Sequence, residues 1–510
     1  MRAPTQWTSA AIACAGGRSD GCDLARLARS WHGDAVRLRP LTAAFARSCA
    51  RAGARALGRL AVACAGSLVC GCDEVGAPRA QTDGIREPTA ITFVDGRWAL
   101  IANGNWDRGE RSGTIAALDG RGLAAALLDP AEPDAALTVD SPCRRSPSAA
   151  PFPIECSATA LVDESATIAV GTGVGEVAID RERGDGQVRG LVTVRDPPSV
   201  VWFDVRADAD AIRLECGQQE ARGCDDAHRI IAVASDPERE FPSEPARVVL
   251  DRAGFRFGYV PHLLGGRLSL LALDGPRGPE LTDIEEGFFQ PDPFADLDAA
   301  GGMAVAQRAC GPDPSNIPDA TEDCTRPLLV ASQRWWPGVR EFTVAPGLDV
   351  ILAGAVRAVG VGALGTFASR PLLADLAFVD EASGTRLVAV QTTPPTLLEL
   401  DGRVEDGRVT WDRTRALALC AGASRMWVQR PAQGEPLAFV ACSEAATVAV
   451  VGLDRFSVIA SVPVLADPGA LTPDAEGRWL WVASTEASAF SLIGLDPGAP
   501  GYLREHARVR

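Results

Sequence analysis

From residue 88 to residue 496 the chain alternates short apolar runs with polar turns, and within each run apolar and polar positions tend to change places one by one. A period of two sends successive side chains to opposite faces of a strand, so the pattern predicts β-strands. The Gly, Pro, Asp and Ser between the runs predict turns. No long stretch repeats its apolar residues at helical spacing. One unit recurs: a run ending in Val or Ile, Ala and a polar residue, then a polar turn, then a second run ending in Leu-Asp. Its clearest copies are GRWALIAN at 96–103 with TIAALD at 114–119, and GRWLWVAS at 477–484 with FSLIGLD at 490–496. A Pro-containing strand precedes each, at 88–93 and 468–472. Weaker copies lie at 166–180, 229–251, 258–274, 328–343, 386–401 and 438–454.

A lone four-stranded sheet exposes two faces and two edges. Sheets packed radially bury the faces and leave only short edges, so a series of such hairpins predicts an all-β fold, a β-propeller. The two end copies, RWALIAN…GTIAALD and RWLWVAS…FSLIGLD, resemble the YVTN-type β-propeller repeat, and the likeness spans nearly all of residues 84–500. Matching end copies imply that the two ends of this region meet to close a ring. Eight Leu-Asp-type units can be counted, but those ending at Asp251 and Asp274 lie 23 residues apart. Two full blades need about 40 residues each, so seven blades are expected, with eight the alternative. Insertions at 120–155, 206–228 and 306–326 interrupt the series, and loops of that length carry what is particular to a propeller.

The head of the chain reads differently. Residues 36–59 hold six Arg and no acid, and residues 60–70, LAVACAGSLVC, form an apolar run of 11. A basic region, a short apolar region and small residues before a cut site make a secretory signal. The run is too short for a spanning helix, which needs about 20 residues. Val69, Gly71 and Cys72 resemble a bacterial lipobox with its lipidated cysteine, although Cys70 stands where a small residue is usual. The domain reading is therefore a leader over 1–71, an anchor and linker over 72–83, the propeller over 84–500 and a tail over 501–510. Residues 1–35 lack periodicity and read as upstream of the true start, near Val36, or as an unusually long leader. The anchor places the protein in the cell envelope, at the outer rather than the inner membrane, facing the periplasm or the cell surface.

Charge sharpens this picture. Residues 1–71 carry 10 Arg against Asp20, Asp23 and Asp34, whereas the rest of the chain carries 40 Arg against 63 acidic residues, a net of −23. So acidic a body repels phosphate backbones and excludes nucleic acid as a partner. The chain contains no Lys, which excludes Schiff-base, pyridoxal-phosphate and P-loop chemistry. After Cys72 come eight cysteines in four local couples: Cys143 with Cys156, Cys216 with Cys224, Cys310 with Cys324, and Cys420 with Cys442. An even, clustered set predicts disulfides in an oxidising compartment. Zinc is the competing reading, and only Cys224 with His228 approaches its spacing.

Candidate chemistry is thin. Asp204, Asp208 and Asp210, like Asp292, Asp296 and Asp298, are spaced so that they could hold calcium, but neither set has the glycine or distal Glu of an EF-hand loop. Solvated acidic turns explain them as well. The polar residues that end the first run of each hairpin, Asn103, Ser235, His262, Ser332 and Ser484, should lie on one face and could line the mouth of the channel. The plainer reading is that they cap turns. Trp335 and Trp336 could stack on a sugar or a flat ligand, or pack between blades. Residues 360–365 match GxGxxG, but Ser369, Arg370 and Pro371 would break the helix that a dinucleotide site requires. From residue 72 onward no GxSxG, HExxH or CxxCH is present.

The expected function is that of a non-catalytic binding or scaffold module, a monomer held to the membrane by lipid and presenting its insertions to a protein or glycan. No cofactor is expected beyond calcium. The rival is an enzyme, since propellers resembling this one include metal-assisted lactone hydrolases and quinone-dependent dehydrogenases. That resemblance implies several carboxylates, Asn or His converging on the channel, and no spacing in the chain requires it.

Overall fold

The recurring strands are apolar on both faces, which suits sheets covered on both sides. In residues 437–442, Leu437 and Phe439 pack towards one neighbouring sheet while Ala438, Val440 and Cys442 pack towards the other. In residues 386–391, Leu387 and Ala389 face one way, and Val388 and Val390 the other. The computed structural model describes residues 84–510 except 105–111, 121–122, 124–141, 146–152, 185, 209, 218–222, 253, 290–299, 309–327, 335–337, 346, 362–371, 380–384, 406–407, 432–433 and 500. The leader with Cys72, the Cys310 and Cys324 couple, Trp335, Trp336, Asp292, Asp296 and Asp298 lie outside the described residues.

The described residues begin with β1 (Pro88–Phe93), β2 (Trp98–Asn103) and β3 (Gly113–Asp119). A hairpin follows, β4 (Cys143–Arg145) and β5 (Ile154–Cys156), and then β6 (Val162–Asp180). Up to Gly171, β6 pairs with β3; from Thr172 it pairs with β7 (Val188–Asp196), so one strand serves two blades. Next to β7 runs β8 (Pro198–Ala207), which carries β9 (Ile212–Glu215) and β10 (Arg229–Ile230) on its outer side. The third blade runs outward from β13 (Val249–Leu250) through β14 (Phe257–Pro261) and β15 (Leu268–Ala272) to β16 (Glu280–Glu285). Beyond β16 lie β11 (Ala232–Val233) and β12 (Asp236–Glu240).

Three regular four-stranded sheets follow. They are β17 (Val305–Gln307), β18 (Leu329–Ser332), β19 (Gly338–Ala345) and β20 (Val350–Ala358); then β21 (Leu373–Phe378), β22 (Arg386–Gln391), β23 (Thr396–Glu405) and β24 (Arg408–Ala418); then β25 (Ala423–Gln429), β26 (Leu437–Cys442), β27 (Thr447–Gly452) and β28 (Ser457–Pro463). The last sheet is β29 (Pro468–Pro473), β30 (Trp479–Ser484), β31 (Ala489–Gly494) and β32 (Glu505–Val509), extended by β5 and β4. With β6 divided between its partners, the described sheets are called blades 1 to 7 here, in chain order.

Between most neighbouring blades the first strands touch: β1 meets β6, β6 meets β13, β17 meets β21, β21 meets β25, β25 meets β29, and β29 returns to β1. Apolar clusters fill the gaps between neighbours. Leu191 and Trp202 pack on Val260 and Leu271 between blades 2 and 3, and Tyr259 and Leu270 on Phe342 and Val344 between blades 3 and 4. This is a β-propeller. Where blade 7 meets blade 1, Phe93 lies edge-on to Trp481 with ring centres 5.8 Å apart. There the Glu87 N–H donates to Ser488 Oγ at 3.1 Å, and Thr485 Oγ1 donates to the Pro88 carbonyl at 3.1 Å.

Three boundaries move relative to the sequence reading. Residues 501–510, expected as a tail, contain β32, the fourth strand of blade 7. Residues 306 and 307, expected within an insertion, belong to β17. The insertion at 120–155 does more than decorate a loop. Its strand β5 pairs in parallel with β32, Ala507 opposite Ile154 and Val509 opposite Cys156, so a segment between β3 and β6 widens the last blade. The Cys143–Cys156 disulfide links directly opposed residues of β4 and β5. A loop of this size gains about 3 kcal/mol from such a bond.

Candidate functional site

In blades 1 and 3 to 7 the second strand ends on the face where the chain enters the blade, and the residue at that end holds the entering segment. In blade 1 the Arg86 N–H donates to Asn103 Oδ1 at 3.0 Å, and Asn103 Nδ2 donates to Thr114 Oγ1 at 3.1 Å. In blade 4 the Ala304 N–H donates to Ser332 Oγ at 3.1 Å, and in blade 7 Ser484 Oγ donates to the Leu465 carbonyl at 3.4 Å. In blade 3, His262 Nδ1 lies 2.9 Å from the Ser243 carbonyl and Nε2 lies 2.9 Å from Ser269 Oγ. A carbonyl can only accept, so Nδ1 carries the proton and Nε2 accepts from the hydroxyl. His262 is fully buried, and that burial pulls its pKa down to about 4. A neutral imidazole with both nitrogens engaged inside the protein is a fastener.

Ser235 does not join this set. It sits exposed in the turn between β11 and β12, on the outer side of blade 3. Gln391 takes the corresponding place in blade 5, one residue beyond the repeated segment RLVAV. Its Oε1 accepts from the Val361 N–H at 2.9 Å, and its Nε2 donates to the Val361 carbonyl at 3.0 Å. In blade 6 the position is Cys442, and its disulfide partner Cys420 lies on the segment entering β25. That disulfide therefore joins a connection to a second strand. A covalent bond does there what hydrogen bonds do in blades 1, 3, 4, 5 and 7.

The same end of the channel holds a set of charges contributed by first strands. Arg247, just before β13, reaches Asp375 of β21 at 2.6 Å and Glu176 of β6 at 3.6 Å. Arg425 of β25 reaches the other oxygen of Glu176 at 3.3 Å. Blades 2, 3, 5 and 6 are thus tied across the axis. Asp375 also accepts from the Met426 N–H at 2.9 Å, and Arg247 Nε donates to the Met303 carbonyl at 3.1 Å. Burial raises the pKa of Glu176, but Arg247 and Arg425 together outweigh it and hold the carboxyl below its ordinary value. Burial likewise opposes charge on Arg247, and Asp375 with Glu176 overcomes it, so the guanidinium is held protonated. Nearby, Arg195 at the end of β7 lies 3.4 Å from Glu244, and Arg334 donates to the Leu263 carbonyl at 3.2 Å.

The remaining candidates are placed as follows. Asp204 accepts from Arg183 at 2.6 Å and faces Arg189 at 3.5 Å, while Asp208 caps its own turn by accepting from the N–H groups of Asp210 and Ala211, each at 2.8 Å. These carboxylates already have protein partners and do not converge on a cation. Among the described residues no group of three His, Cys, Asp or Glu is placed to hold a metal. The zinc-like couple is also accounted for: Cys224 is bonded to Cys216, and His228 Nδ1 lies 2.6 Å from Asp225. The Leu-Asp endings work at the other rim, where Asp119 pairs with Arg97 at 2.6 Å, and Asp180 and Asp274 share Arg256 at 2.8 Å each. Burial pushes Glu341 up to about 7 against Arg308, but it lies on β19, the third strand of its blade.

No family model matches the chain, and no curated protein matches it. Solved structures do. A protein from Lactobacillus plantarum is 13% identical with a TM-score of 0.50, over 81% of this chain and 95% of that one. A candidate 6-phosphogluconolactonase from Bacteroides uniformis is 12% identical with a TM-score of 0.49, over 81% and 95%. Hydrazine synthase of Kuenenia stuttgartiensis is 12% identical with a TM-score of 0.47, over 80% and 96%. At such identity the likeness to the first of these shows the fold alone.

Proposed function

We propose that the protein is a lipid-anchored β-propeller of the bacterial cell envelope that binds a protein or glycan partner through its insertions and does not turn over a substrate. The observation that carries this reading is how the strand-end polar residues are used. Asn103, His262, Ser332, Gln391 and Ser484 all hold backbone or hydroxyl groups of their own blades, and Arg247–Asp375 with Arg425–Glu176 bridge the channel. A catalytic group must meet substrate with its reactive atom available, and these side chains are engaged in building the ring. What the ring does not require is the insertions, and two of them are fastened by the Cys143–Cys156 and Cys216–Cys224 disulfides.

Two experiments test it. Anchoring through Cys72 predicts that Cys72→Ser moves the protein from the membrane to the soluble fraction; membrane retention with an unblocked N-terminus would refute the anchor. For the binding reading, residues 310–324 are replaced by a short Gly-Ser linker and envelope extract is passed over immobilised protein. The replacement should abolish capture of the partner while leaving the unfolding free energy within about 1 kcal/mol of wild type. Steady hydrolysis of lactone or ester substrates that survives the replacement would overturn the proposal in favour of an enzyme.

A further inference from the structure

Each of blades 1 to 6 leads along the chain into the next, but blade 7 comes last in that order and meets blade 1 without being followed by it. Phe93 on Trp481 and the hydrogen bonds of Glu87 and Thr485 hold part of this seam. The β4–β5 hairpin supplies a hold of another kind. β5 lies in blade 7, paired in parallel with β32, yet six residues after Cys156 the chain reaches Val162, the start of β6 in blade 1. Both ends of this crossing are fixed. On the side of blade 7, the Arg510 N–H donates to the Cys156 carbonyl at 3.0 Å and the Ala158 N–H donates to the Arg510 carbonyl at 2.8 Å. On the side of blade 1, the Asp119 N–H donates to the Leu161 carbonyl at 2.9 Å, and Val162 pairs with Leu118. Cys143, Ile154, Cys156 and Leu161 bury their side chains in one apolar cluster with Val509 and Leu118. Residues 156–162 thus form a short backbone strap across the seam.

What the strap can hold depends on how β5 is held. It is three residues long, and so is β4, which lies beyond it at the edge of the sheet. A hairpin of two such strands is marginal in water by itself, and parallel pairing of the kind that joins β5 to β32 is the weaker kind per residue. Two links fasten β5 to β4. The Ser157 N–H donates to the Pro142 carbonyl at 2.8 Å, and Cys143–Cys156 bridges two residues that face each other. The covalent link therefore sits at the residue from which the strap departs.

We infer that the β4–β5 hairpin is a redox-set strap: with Cys143–Cys156 oxidised it keeps blade 7 shut on blade 1, and with the bridge reduced the seam opens. The reaction is thiol–disulfide exchange with a dithiol. One thiolate of the dithiol attacks a sulfur of the bridge, and its second thiolate resolves the mixed disulfide. Two electrons and two protons pass to the protein, which ends with thiols at Cys143 and Cys156, while the dithiol ends as a cyclic disulfide. The two cysteines are only 0% and 2% exposed, so exchange waits on fraying of β4 and the strap responds slowly. The inference stands whatever partner the insertions capture.

The experiment follows amide hydrogen exchange of the full-length protein in detergent by mass spectrometry, which reads local opening stretch by stretch. Cys143→Ala combined with Cys156→Ala should speed exchange at least about tenfold in residues 505–510 and 86–93, the two sides of the seam. Residues 257–272 in blade 3 and 437–452 in blade 6 should exchange as in wild type. If the double variant fails to fold, wild type is held with dithiothreitol until Cys143 and Cys156 are found as thiols, and the same four stretches are compared. Reoxidation with oxidised glutathione should then restore protection on both sides of the seam. Unchanged exchange once the bridge is gone, a rise confined to 505–510, or an equal rise in all four stretches would each overturn the inference.

Discussion

Asp375→Asn should cost the protein about 3–5 kcal/mol of stability, the loss expected when one partner of a buried ion pair is removed and the other charge stays behind. Arg247 and Asp375 meet at 2.6 Å with side chains only 15% and 6% exposed, and they come from blades 3 and 5, which are not neighbours. Asparagine keeps the shape, but its single oxygen can accept either from the Met426 N–H or from Arg247, so the variant loses one acceptor together with the charge. Removing both charges should hurt less than the sum of the single changes, because an apolar pair of similar volume leaves no orphan. Arg247→Met with Asp375→Leu tests this, with Glu176 remaining paired to Arg425. Guanidinium midpoints of wild type, both single variants and the double variant form the cycle. A single variant within 1 kcal/mol of wild type, or additive losses, would show that the channel pair does not fasten the ring.

The sequence made the strands legible because both faces of each blade are buried, and alternation within Leu-Ala-Phe-Val-Ala-Cys or Arg-Leu-Val-Ala-Val-Gln records which neighbour each residue meets. It made three of the described disulfides legible because each closes locally. The ring of strand-end residues was half visible. Its positions were evident from the repeat, but their use was not, since a polar residue that fastens the entering segment and one that faces a ligand leave the same mark in the chain. Gln391 could have been found by reading one residue past Val390. Ser235 entered the set because β11 imitates a second strand, whereas its neighbour in space is β16, with which it pairs in parallel at the edge of blade 3. The charge network was hidden for a different reason. Asp375 and Arg425 are lone charges within short strands, Glu176 is one of four acids along the 19-residue β6, and only ring closure brings residues 176, 247, 375 and 425 together. A charge interrupting an apolar first strand was the available signal.

His262 makes the fold sensitive to mild acid. Burial holds its pKa at about 4 in the folded protein, against about 6.5 for an unperturbed histidine. Above pH 6.5 both states are neutral and the group has no effect on the balance. Between pH 6.5 and 4 the unfolded chain takes up a proton that the folded protein refuses, so stability falls as pH falls; below 4 both states are protonated and the loss is complete. A shift of this size corresponds to roughly 3 kcal/mol, to be measured as the difference between wild type and His262→Gln in how far the unfolding free energy changes from pH 7 to pH 4.5, because Glu341, held up to about 7, gains stability over the same range and cancels in that difference. His262→Gln removes the titration and keeps an amide able to donate to the Ser243 carbonyl. It should be less stable than wild type at pH 7, because the buried Ser269 hydroxyl loses a well-placed acceptor. Its loss between pH 6.5 and 5 should be the smaller of the two. Glu176, whose carboxyl is held low by Arg247 and Arg425, acts in the same direction at lower pH. Its contribution is complete above the unfolded value and is lost as pH falls through the folded one, so it does not obscure the histidine window. Equal slopes for wild type and His262→Gln between pH 6.5 and 5 would mean that the imidazole is not sealed in the blade, and would return it to the channel as a candidate for proton transfer.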